Sequence, residues 1–127
     1  MPRNILIIDD EEDFCELVKA KLEVSGDFKV NIATESAKGL NMAIKTRPDL
    51  VLLDINMPGM DGYQVLEKLR KDMRTIDMPV IMLTAFDDME SKAKATHLYD
   101  DLYIVKPVDS NVLITKINDV LKRRGVE

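Results

Sequence analysis

The chain has 127 residues, 46% of them hydrophobic, which suits one domain with a core of its own and is too short to expect two. Its 18 basic and 23 acidic residues leave a formal charge of -5, and no basic block exceeds Lys122, Arg123 and Arg124, so direct nucleic-acid binding by this chain is not expected. A single cysteine, Cys15, excludes an internal disulfide; there is no basic-apolar-small leader and no apolar run near twenty residues, so a reducing cytoplasm fits and neither export nor a membrane span is expected.

In chain order, residues 4–8 form an apolar run that predicts a buried strand, and it ends in Asp9 and Asp10. Residues 12–24 follow at helical length, with Phe14, Leu17, Val18 and Leu22 on one stripe, Cys15 buried with them, and Gly26 where a helix C-terminus belongs. A second strand is expected at 28–33, then a helix whose stripe is Ala37, Leu40 and Ile44. The third strand, 50–53, runs into Asp54 and the turn Met57-Pro58-Gly59. Asp61 and Gly62 read as the N-cap and first turn of a third helix striped by Val65, Leu66, Leu69 and Met73. A strand at 80–83 ends in Thr84. A fourth helix is expected at 88–97, where the apolar residues Met89, Ala93 and Ala95 are few and mostly small. The fifth strand, 102–105, ends in Lys106, and a last helix carries Leu113, Ile114, Ile117, Val120 and Leu121. No linker, repeat or low-complexity segment divides the chain, so residues 1–127 are expected to be a single domain.

Strict alternation of strand and helix predicts an α/β fold, a (βα)5 arrangement with a doubly wound, parallel five-stranded sheet, because parallel neighbours need long return connections of fixed hand. In such sheets ligands bind at the carboxyl ends of the strands, near the point where strand order reverses. Asp9, Asp10, Asp54, Thr84 and Lys106 all stand at those ends and are expected to converge on one crevice. Two carboxylates about 4 Å apart repel by about 4 kcal/mol at an effective dielectric near 20, so something positive must offset them. Mg²⁺, a hard cation that prefers oxygen ligands, suits Asp9 and Asp10 as ligands, and Lys106 completes the neutralisation. Phosphoryl transfer needs such a set: a nucleophilic oxygen, for which Asp54 is placed, cations to share the charge, and a hydroxyl donor, for which Thr84 is placed.

Asp9-Asp10 after Ile5-Leu6-Ile7-Ile8, the run Asp54-Ile55-Asn56-Met57-Pro58-Gly59-Met60-Asp61-Gly62, Thr84-Ala85, Tyr103 and Lys106-Pro107 together resemble a response-regulator receiver domain of two-component signalling, over essentially the whole chain. The resemblance implies a flavodoxin-like strand order 2-1-3-4-5. It also implies phosphoryl acceptance on Asp54 from a histidine kinase or phosphotransfer protein, and a protein target for the switched surface. The chain would then act as a monomer or a phosphorylation-dependent dimer, and would catalyse only its own phosphorylation and dephosphorylation. It further implies the Asn56 carbonyl as a Mg²⁺ ligand beside Asp9, Asp10 and Asp54, a cis Lys106–Pro107 peptide, and a Tyr103 that changes rotamer with Thr84. The chain departs from the family in having Tyr99-Asp100 where small residues are usual, which bears on how the fourth helix packs and on the coupling of Thr84 to Tyr103.

Taken singly these residues have plainer readings: Asp9 and Asp10 as acids at a positive helix start, Thr84 as a strand residue, Lys106 as a solvated lysine. Their joint placement at four strand ends is what points to a site. A calcium loop from Asp9 is excluded, since Phe14 stands where Gly is required and Ala20 where the bidentate Glu belongs. His97 reads as a surface residue and the eight methionines as core filler. Three other readings compete. A haloacid-dehalogenase-like phosphatase wants its nucleophile at the first strand end with a second acid two residues on, which Asp9 and Glu11 fit only loosely. A flavin carrier of the same fold wants a first loop rich in Ser, Thr and Gly, not acids. A non-phosphorylated pseudo-receiver scaffold would not need this charged set.

Overall fold

The computed structural model describes residues 1–85 and 102–123. Five strands and four helices are seen among them: β1 (Arg3–Ile8), α1 (Glu12–Glu23), β2 (Phe28–Ala33), α2 (Ser36–Thr46), β3 (Leu50–Asp54), α3 (Gly62–Lys71), β4 (Val80–Thr84), β5 (Leu102–Val105) and α4 (Ser110–Arg123). The helix expected at 88–97, His97 and the pair Tyr99-Asp100 lie outside the described residues.

All strand pairs are parallel and the sheet order is β2-β1-β3-β4-β5. β1, β3 and β4 are inner strands covered on both faces, which is why they read as unbroken apolar runs. The pleat then sorts their side chains. Ile5, Ile7, Leu50, Leu52, Ile81 and Leu83 face α1 and α4, meeting Cys15, Val18, Leu22, Leu113, Ile117 and Leu121. Leu6, Ile8, Val51, Leu53, Val80 and Met82 face α2 and α3, meeting Ala43, Val65, Leu66 and Leu69.

Three residues of the expected stripes fall elsewhere. Ala37 is exposed, because Ser36, Gly39 and Ala43 carry the buried face of α2. Leu17 is 56% exposed, because Cys15, Val18 and Leu22 carry the buried face of α1 and Leu17 sits a third of a turn away. Met73 is 88% exposed, because α3 ends at Lys71. Gly26 takes φ +81 after α1, and its N–H bonds to the Glu23 carbonyl, as a left-handed helix end requires. Among the described residues, no helix is long and apolar enough to cross a membrane.

Candidate functional site

β1 and β3 are adjacent, while the chain runs from β1 to β2 on one side before returning to β3 on the other. The strand order reverses there, so the loops after β1 and β3 part and leave a crevice. Asp9, directly after β1, is fully buried, and its N–H bonds to the Ala33 carbonyl at 3.0 Å. Asp10 turns outward and is exposed. Asp54 closes β3 at 5% exposure, and the next residue ties back to β4 through Ile55 N–H to the Leu83 carbonyl. Carboxylate oxygens of Asp9, Asp10 and Asp54 all lie within 4.8 Å of one another, so the three could hold a metal ion.

From the other side comes Lys106. Its backbone N–H bonds to the Thr84 carbonyl at 2.8 Å, continuing the β4–β5 ladder past Val105, and its bond to Pro107 is cis, as the resemblance implies. The ammonium lies 2.7 Å from Asp9 Oδ2, 2.8 Å from Glu11 Oε1 and 3.6 Å from Asp54 Oδ1. It also sits 4.4 Å from the centre of the Phe14 ring, a cation–π contact. The contact with Asp9 Oδ2 is close but not aligned as a hydrogen bond, whereas the bond to Glu11 is.

Burial pushes the Asp54 carboxyl up to about 6, and the charges of Asp9 and Asp10 push the same way, against the pull of Lys106 and a backbone hydrogen bond from Asn56. Burial also raises Asp9, opposed by Lys106 and by the Glu11 N–H that donates to Asp9 Oδ1 at 2.9 Å. For Lys106, burial acts downward, but Asp9, Glu11 and Asp54 overcome it and hold the ammonium firmly protonated. Cys15 is pushed up to about 12, by burial first and then by the Asp9 charge; its thiol donates to the Asp9 carbonyl at 3.3 Å, a reduced and inert packing role.

A family model of the response regulator receiver domain matches residues 5–118 of the chain. The chain belongs to the response-regulator receiver family. As a receiver it is part of two-component signal transduction. It is 39% identical over 123 residues to the DNA-binding dual master transcriptional regulator RpaA of Synechocystis sp., covering 97% of this chain and 50% of that protein. It is 33% identical to the phosphate regulon transcriptional regulatory protein PhoB of Pseudomonas aeruginosa, covering 97% and 53%. The receiver thus spans about half the length of these curated relatives. A response regulator receiver domain protein (CheY-like) from Methanospirillum hungatei has the same fold at TM-score 0.89 and 32% identity, over 98% of each chain. One from Clostridium thermocellum matches at TM-score 0.89 and 31% identity, again over 98% of each.

Strand register gives the positions of Thr84 and Tyr103. Thr84 is buried at the end of β4 and opposite Val105, with its hydroxyl donated to the Ala85 carbonyl at 3.1 Å. Tyr103 stands opposite Met82 and packs with the cluster on the α2 and α3 side, so Thr84 and Tyr103 share one face of the sheet, two steps apart. Asn56 follows in the loop after β3, its side chain exposed and its N–H on the Asp54 carboxyl. Asp61 is the N-cap of α3, in a reciprocal capping box with Gln64.

Two neighbours of Lys106 escaped the sequence reading. Phe14 was assigned to the core stripe and Glu11 weighed only as a loose second acid, yet both touch the ammonium. The available signal was the position of Glu11 in the loop between Asp10 and α1, the first connection at the crevice. Gly62 is a third. A Cβ there would strike the Asp54 carbonyl oxygen and come within 2.7 Å of Ile55 Cα, so the glycine lets α3 start against the strand end that carries Asp54.

Proposed function

We propose that this receiver accepts a phosphoryl group on Asp54, in a Mg²⁺-dependent reaction, and that the phosphorylated site biases an equilibrium between two arrangements of its output surface. The observation that carries the reading is the convergence of three carboxylates within 4.8 Å of one another, with a lysine ammonium against them. Octahedral Mg²⁺ spaces neighbouring ligand oxygens by about 3 Å and opposite ones by about 4.2 Å, so the carboxylate set fits such an ion with small adjustments. Asp9, Asp10 and Asp54 would hold it, with the Asn56 carbonyl as a further ligand. When bound, the ion would offset the mutual repulsion of the carboxylates and share the charge of the transferring group.

An Asp54 oxygen would form the new bond to phosphorus while the donor's bond to phosphorus breaks, the donor atom keeping the electron pair. Lys106 would ion-pair with one phosphoryl oxygen. Thr84 would exchange its bond to the Ala85 carbonyl for one to another, and Tyr103, on the same face, would respond. The donors that suit this chemistry are a histidine kinase or a histidine phosphotransfer protein, and the output is binding of a protein target. We further propose that residues 1–127 act as one unit, turning over nothing but their own phosphoryl group.

Incubation with acetyl phosphate and Mg²⁺ is expected to add one phosphoryl mass, read by intact mass spectrometry, and Asp54→Ala to remove it. Labelling that survives the substitution would refute Asp54 as acceptor.

A further inference from the structure

Glu11 has no part in the reading above, yet it takes the best-aligned hydrogen bond that Lys106 makes among the described residues. Its Oε1 lies 2.8 Å from Nζ, whereas Asp9 Oδ2 is near but misaligned and Asp54 Oδ1 is 3.6 Å away. Glu11 is itself pinned to the crevice through its N–H on Asp9 Oδ1, while 64% of its side chain remains exposed. The Phe14 ring also lies against the ammonium, its centre 4.4 Å away. Asp9, Glu11 and the Phe14 ring therefore all lie against Nζ, while Asp54 stays beyond hydrogen-bonding distance.

We propose that Glu11 is a positioning residue for Lys106, an exposed carboxylate that holds the ammonium back from Asp54 and competes with a phosphoryl group for it. The inference rests on the function proposed above and adds a control to that site. With Asp54 Oδ1 at 3.6 Å, Nζ must move to engage a phosphoryl oxygen there, and that move is made against its 2.8 Å bond to Glu11. Because Glu11 is exposed, its hold is weak enough to be outcompeted yet strong enough to set the threshold.

The test uses beryllofluoride as a phosphoryl mimic, titrated at saturating Mg²⁺ and followed by heteronuclear NMR. Glu11→Gln is expected to tighten binding by about threefold to fivefold, the size of an exposed ion pair. Glu11→Asp keeps the charge but falls short of Nζ, and is expected to tighten it similarly. In a Lys106→Met background the Glu11→Gln gain should vanish, since the cycle isolates coupling through Lys106. In metal-free protein, both Glu11 variants should shift the Lys106 side-chain resonances.

An aspartate variant that binds like wild type, or a gain that persists without Lys106, would show that only the field of the charge matters and overturn the proposal. If Lys106→Met does not fold, the Glu11→Asp result decides. Wild-type binding with no effect of Glu11 overturns this inference alone, whereas a wild-type chain that binds no beryllofluoride overturns it together with phosphoryl acceptance.

Discussion

Asp54 is destabilising as well as functional in this reading, and its pKa gives the sign. The folded chain holds its carboxyl near 6, above the value of about 3.9 for an unfolded aspartate, so the fold favours the protonated form. Below pH 4 both states are protonated and nothing is lost. Between pH 4 and 6 stability falls because the unfolded aspartate ionises while the buried one stays protonated, and above pH 6, where both are ionised, the full penalty applies, about 1 to 3 kcal/mol. Asp54→Asn is therefore expected to raise the urea-unfolding free energy at pH 7.5 by about that amount, with the difference shrinking toward pH 4; an asparagine variant less stable than wild type at pH 7.5 would contradict this balance of burial and charge. The aspartate's position after Leu50 to Leu53 was evident from the order of residues alone. Its raised pKa was not, because that depends first on burial and then on the charges of Asp9 and Asp10, all of which come from the packing of strands distant in the chain.

At the scale of elements, α3 links sequence to site most directly. Asp61 accepts the Gln64 N–H at 2.9 Å while Gln64 returns a bond from the Asp61 N–H at 2.8 Å, a local pattern that the residue order displays. Asp61→Ala should cost about 1 kcal/mol, measured by chemical denaturation, with little change in phosphoryl acceptance, since Asp61 lies outside the carboxylate cluster. Gly62→Ala should behave differently. Its Cβ meets the backbone of Asp54 and Ile55, which cannot rotate away, so a loss of about 2 kcal/mol or more is expected, accompanied by slower acetyl phosphate labelling of Asp54. A Gly62→Ala chain with wild-type stability and labelling would remove the argument that α3 sets the strand end. Stripe errors belong to this scale as well: Leu17 looked like a core residue by type, but lines a surface cavity of about 110 Å³ with Phe14, Lys21, Pro107 and Val108.

For the whole molecule, the sheet is a frame that gathers like charges at the carboxyl ends of its inner strands, and ligand binding should stabilise it by mass action. Mg²⁺ at a hundredfold excess over its dissociation constant is expected to stabilise the fold by about 2.7 kcal/mol, seen as a rise in Tm. Asp9→Asn should abolish most of that rise; an equal rise in the variant would show that the ion binds elsewhere. The apolar runs, the helix starts and the alternation of strand with helix were determined by the sequence itself, because hydrophobic period and capping act between residues near in the chain. Those features also fixed which polar residues stand at strand ends. What only the tertiary structure decided is who meets whom there: Lys106 reaches Glu11 across 95 positions, and its ammonium is shared unequally among Asp9, Glu11 and Asp54. Such choices depend on register, burial and ångström-scale alignment, which arise once parallel strands from distant parts of the chain lie side by side.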